Sequence, residues 1–117
     1  MFPYLTRLTI IVPAVAFRLT HWRTTSAPGE REVNSILRRE GLRGHRWSNG
    51  PGVRYRSHAH EQGKVIYCLD GGIVFYVAGT CVELSPGDRL EIEPGIVHSA
   101  DVGPQGVVCL EAMKESA

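Results

Sequence analysis

From Asn49 to Pro104 the chain is cut at short, regular intervals by turn-forming residues, and this punctuation most restricts what it can fold into. The breaks fall at Asn49-Gly50-Pro51-Gly52, Gln62-Gly63, Asp70-Gly71-Gly72, Ala78-Gly79, Pro86-Gly87-Asp88, Pro94-Gly95 and Gly103-Pro104. The runs between them predict strands over 44–48, 53–60, 64–69, 72–77, 81–84, 89–92, 97–102 and 106–112. Short strands at this spacing point to an all-β fold. A double-sheet jelly-roll barrel suits so many of them in one small domain, because it removes most exposed edges. Asp70-Gly71, between two β-rich runs, reads as a hairpin turn.

The length, 117 residues, suits one domain. Residues 1–29 read as an extension and linker, and residues 30–117 as the folded domain with its barrel over 44–112. One short helix is expected from Glu30 to Glu40. Val33, Ile36 and Leu37 form a narrow apolar stripe, acids occupy the first turn, Arg38 and Arg39 the last, and Gly41 stops it. Such a stripe places the helix on the outside of a sheet. The apolar stretch from Leu8 to Phe17 is too short to span a bilayer. Pro13 interrupts it and its Ala14-Val15-Ala16 triplet lies inside the apolar run, so it makes a poor signal peptide; an edge strand, a poorly ordered extension or a mis-assigned start are the readings preferred.

The formal net charge is +1, which provides no global field for nucleic acid or an anionic membrane, and neither is expected as a partner. Residues 1–57 hold ten Arg against three acids, while residues 58–117 hold three basic against nine acidic side chains. The two halves are therefore expected to pair and largely cancel. Three cysteines, Cys68, Cys81 and Cys109, form no CxxC pair. Two of them lie in apolar runs as small hydrophobes, which favours a cytoplasmic protein.

Chemistry concentrates around His58-Ala59-His60. Residues i and i+2 of a strand share a face, so both rings can converge on one point, and His98 follows just past the Pro94-Gly95 turn. No Ser-His-Asp order, phosphate loop, dinucleotide fingerprint or zinc-finger spacing accompanies them.

Over residues 44–112 the chain resembles the cupin family. That family's first motif runs Gly, five residues, His-x-His, three or four residues, Glu, six residues, Gly. Gly52, His58, His60 and Gly71 match it. The second runs Gly, five residues, Pro-x-Gly, two residues, His, three residues, Asn, and Gly87, Gly95 and His98 fall in register. The resemblance implies a double-stranded β-helix, a homodimer and a site in which three His and one Glu hold a divalent transition metal (Zn, Mn, Fe or Ni). Three positions depart from it: Lys64 replaces the Glu ligand, Glu93 the Pro and Val102 the Asn.

Lys64 opens alternatives. An ammonium roughly 4 Å from a metal is repelled by about 4 kcal/mol per unit charge at an effective dielectric near 20. It must swing away toward Glu93 or Glu111, offer its amine to an anionic ligand, lose its proton, or replace the metal. His58, His60 and His98 then either hold the metal as a three-histidine site, or form a metal-free pocket for an organic ligand. Strand parity puts Lys64, Ile66 and Cys68 on one face and sets Arg54 and Arg56 in phase with the histidines, so that an Arg could meet an anion at the mouth; an exposed strand-end Arg is the preferred reading for either. Tyr55, Tyr76 and Trp47 are candidates to border the cavity, while Cys68 and Cys109 read more readily as packing than as ligands. The expectation is a cupin that binds a divalent metal and a small molecule, an anionic one included, with Lys64 or Glu93 as the proton-transfer candidate if it is an enzyme. The rival is a non-catalytic binding or sensory module with a degenerate site.

Overall fold

The computed structural model describes residues 15–114. Phe17–Thr20 forms β1, His45–Asn49 β2, Arg54–His58 β3, Lys64–Val77 β4, Thr80–Leu84 β5, Arg89–Ile92 β6 and His98–Met113 β7, with one helix, α1, at Glu30–Arg39. Of the apolar stretch discussed above, residues 8–14 lie outside the described residues. Its end enters the sheet as β1, antiparallel to β6 from Phe17↔Ile92 to Thr20↔Arg89, so part of the expected extension belongs to the barrel wall.

Two pairs of expected strands are fused. The runs 64–69 and 72–77 make up the single strand β4, and the runs 97–102 and 106–112 make up β7. Asp70-Gly71 is therefore a bend inside a strand, and the hairpin expected there is absent. β4 and β7 pair along their whole length, and the register slips between Cys68 and Asp70 and again between Gly71 and Ile73. Gly71 and Gly106, both at positive φ (74° and 76°), supply the bend where side chains would block it. Core parity changes across it, from Ile66 and Cys68 to Ile73, Phe75 and Val77 on β4, and from Ala100 and Val102 to Val107 and Cys109 on β7.

This bend makes two sheets from one set of strands. The first half of β4 lies between β6 and the second half of β7, with β1 and β2 outside them; the second half of β4 lies between β5 and the first half of β7, with β3 beyond. Residues of both halves share one buried cluster, as expected for a jelly roll. Between the sheets the strand faces converge on a cavity.

The helix packs outside, as its narrow stripe requires. Val33 and Leu37 are fully buried against Val65, Tyr67, Leu110 and Ala112. Each such burial stabilises by roughly 1.5–3 kcal/mol. Arg89 grips the C-cap residue Glu40 with both terminal nitrogens (2.8 and 2.9 Å) and donates to the Tyr67 hydroxyl at 3.1 Å, tying the helix end to β6. Arg89–Glu40 and Arg54–Asp101 join the basic and acidic halves of the chain. No helix among the described residues is long and apolar enough to cross a membrane.

Candidate metal centre

The three histidines come together at one end of the inter-sheet cavity. β3 brings His58 opposite His98 at the start of β7, and His60 follows in the loop beyond β3. One nitrogen from each ring lies within 4.8 Å of the others. Ring centroids are 4.7 Å apart for His58 and His60, 4.4 Å for His58 and His98, and 5.4 Å for His60 and His98. His98 is buried, His60 half-buried and His58 exposed, so the group sits at the mouth of the cavity.

Backbone carbonyls orient two of the rings. The His58 Nδ1 bonds the Arg56 carbonyl at 2.7 Å, and the His98 Nδ1 bonds the Ile96 carbonyl at 3.0 Å. A carbonyl only accepts, so each Nδ1 carries hydrogen and leaves the Nε2 lone pair free in the neutral ring. Burial, followed by the Lys64 ammonium, holds His60 below the usual imidazole range. Burial does the same for His98, against its bond to Ile96. Both effects favour the neutral form, which is the ligand form.

The donor set fits a divalent transition metal. Metal–nitrogen bonds of roughly 2.1 Å at tetrahedral angles place donors about 3.4 Å apart. The ring nitrogens lie within 4.8 Å of one another, so side-chain rotation that draws them together completes the set. Imidazole is the ligand type such ions take, and the Arg56 and Ile96 carbonyls that accept from the Nδ1 atoms are the outer partners that fix ring orientation.

Behind the histidines the cavity, of about 260 Å³, is walled by Trp47, Tyr55, Ile66, Phe75 and Ala100, with Lys64 and Glu111 as its other polar side chains. Lys64 donates to the Glu111 Oε2 at 2.6 Å, with the two side chains 13% and 23% exposed. Of the two partners the sequence offers Lys64, the structure shows Glu111. Trp47 and Tyr55 meet edge to face at 5.9 Å, and the Tyr55 hydroxyl accepts from the Asn49 amide. Burial raises the Tyr55 pKa, so the phenol stays protonated.

Several candidate residues lie elsewhere. Arg56 does not line the cavity: a bulge between Tyr55 and His58 turns Tyr55 inward and breaks the parity that set Arg56 in phase with the histidines. Its guanidinium is exposed, and its carbonyl serves the site instead. Glu93 is exposed in the turn after β6 and is also absent from the cavity wall. Tyr76 is exposed and donates to Asp101. Cys68 and Cys109 are directly opposed on β4 and β7 and wholly buried in the core rather than in the cavity wall. The hydrogen bond with Cys68, together with burial, pushes the Cys109 thiol far up, so it stays protonated and inert. Phe75 and Ala100 escaped sequence reading as cavity residues. Their signal is register: Ala100 is opposite both Tyr55 and Phe75, in one row across three strands.

A family model described as the cupin domain matches residues 45–109. The chain belongs to the cupin family. No curated protein matches it. Among solved structures, this cupin is similar to an RmlC-like cupin from Shewanella frigidimarina (24% identity, TM-score 0.58, 64% of this chain and 67% of that one). It is also similar to a conserved double-stranded β-helix protein from Klebsiella pneumoniae (25%, TM-score 0.54, 62% and 65%). A third likeness is to oxalate decarboxylase from Bacillus subtilis (18%, TM-score 0.59, 63% and 21%), a protein described with Mn(II) centres. The chain thus spans about two thirds of the two small relatives and about a fifth of the decarboxylase.

Proposed function

We propose that this cupin holds a divalent transition metal on His58, His60 and His98 and admits a small molecule into the cavity behind them. The observation that carries the reading is the convergence of three ring nitrogens within 4.8 Å, with two rings oriented by carbonyls for metal binding. Such an ion supplies Lewis-acid polarisation of a bound ligand's oxygen. Around it, we read Trp47, Phe75 and Ile66 as the groups that exclude water and shape the ligand, and the Lys64 ammonium, paired with Glu111, as the group that holds a proton in the cavity. Glu93 is too far out on the surface to share that role.

Elemental analysis of protein purified without a histidine tag tests the reading. We expect about one equivalent of metal per chain after loading with Zn, Mn, Fe or Ni, the stoichiometry of a single three-histidine centre. Less than about a tenth of an equivalent under every condition would leave the second reading, a metal-free binding or sensory module. The Lys64 ammonium in the cavity is the observation that favours that alternative.

We also read the protein as a cytoplasmic homodimer. β1 ends the sheet among the described residues, and Val15 and Leu19 are 61% and 37% exposed at that edge. An apolar edge that is unpaired among the described residues is a template for a second chain. Light scattering of the full chain should give twice the monomer mass; a monomer mass across the accessible concentration range would exclude the pairing.

A further inference from the structure

Glu111 is the one acidic side chain among the described residues lining the cavity, and Lys64 holds it at 2.6 Å. The pair spans two strands: Glu111 stands opposite Ile66, and Lys64 is two positions earlier on β4. Both side chains are largely shielded from water, so neither charge separates from the other without leaving a poorly solvated ion.

The consequence is a charge count. Three neutral imidazoles add no charge, and Lys64 cancels Glu111. A divalent ion in the histidine set would therefore keep its full double charge, with the exposed His58 on one side and the largely apolar wall of Trp47, Ile66, Phe75 and Ala100 on the other. On the walled side such a charge is stabilised by a counter-charge. The carboxylate lining the cavity is already engaged.

We propose, building on the metal reading above, that the carboxylate completing this centre comes from outside: the cavity takes a small monocarboxylic acid with a short apolar tail. The carboxylate faces the histidines and the tail lies against the apolar wall. Lys64 is a positioning residue that keeps Glu111 away from the centre. At about 260 Å³, near eight or nine water volumes of roughly 30 Å³ each, the cavity limits the acid to a few carbons.

The test uses Co²⁺-loaded full-length protein titrated with acetate and butyrate, read by the visible cobalt bands. Wild type should show saturable band shifts with both acids, and butyrate should bind more tightly by about fourfold per added methylene. In Lys64→Met the freed Glu111 occupies the centre, so the cobalt bands shift before any acid is added and butyrate affinity falls at least tenfold. Lys64→Met/Glu111→Gln has no internal carboxylate and should recover butyrate binding to near the wild-type level. If Lys64→Met does not fold, Glu111→Gln alone carries the test. It releases the ammonium, and butyrate should bind several-fold more tightly.

Cobalt bands unmoved by either acid would overturn the inference while leaving the metal reading intact. So would full butyrate affinity in Lys64→Met, or a double variant that fails to recover, which would make Lys64 the direct anchor of the acid. Unchanged or weaker binding in Glu111→Gln counts equally against it. No cobalt bands in wild type would instead remove the metal reading and, with it, this inference.

Discussion

Gly71→Ala should cost about 3 kcal/mol or more, the upper range for one substitution. A methyl group at Gly71 would sit 2.0 Å from the Gly106 carbonyl oxygen and 2.8 Å from its carbon. Both contacts are backbone, so no side chain can swing aside. Gly106 cannot retreat, because a Cβ placed on it would itself meet the Asn49 carbonyl oxygen at 2.9 Å. The strands β4, β7 and β2 are therefore layered as closely as backbone permits at the point where the barrel turns. Added to the clash is the residue's φ of 74°, a conformation that costs a non-glycine residue about 1–2 kcal/mol. Gly79→Ala is the internal control. It shares the positive φ (80°) but has nothing within 4 Å of the added carbon, and should lose only that conformational part. Urea unfolding of the two variants, with the slope held as a check on two-state behaviour, separates the effects. Equal losses would show that close approach at Gly71 is not what holds the bend.

The same bend explains which parts of the structure could be read in the sequence. Strand existence was legible because turn residues and β-branched runs are local signals, and α1 was legible from Val33, Ile36 and Leu37 with Gly41 as its stop. The fusion of strands across Asp70-Gly71 was not. A Gly at positive φ serves a hairpin or a bulge equally well, and the choice depends on β7 lying alongside with its own glycine, Gly106, in step. Parity arguments held wherever a strand is regular, as for Lys64, Ile66 and Cys68. They failed for Arg56, where the bulge between Tyr55 and His58 inserts a half-step visible only in pairing with β7. Lys64 was conspicuous as a departure from the family motif. Its destination, Glu111, depends on a cross-strand register that no local pattern encodes.

His58→Ala should lower metal affinity by more than 100-fold while leaving the metal-free fold within about 0.5 kcal/mol of wild type. The two effects separate because His58 is exposed. Exposed side chains away from caps and networks contribute little to stability. Its ring nevertheless lies 4.4 and 4.7 Å from its two neighbours and is held by the Arg56 carbonyl. Losing an outer partner of a metal ligand typically costs 10–100-fold in affinity, so losing the ligand itself must cost more. Thermal or urea unfolding reads both quantities. At free metal 100 times the dissociation constant, wild type should gain about 2.7 kcal/mol, because the ion binds the folded state alone. His58→Ala at the same metal concentration should gain about 0.4 kcal/mol at most, whereas its metal-free curve should overlay wild type. His98→Ala is the less clean counterpart. His98 is 5% exposed and bonds the Ile96 carbonyl, so its removal should weaken the apo fold as well as the metal site. A metal-induced gain that survives intact in His58→Ala would place the ion elsewhere on the chain and leave the three histidines as packing.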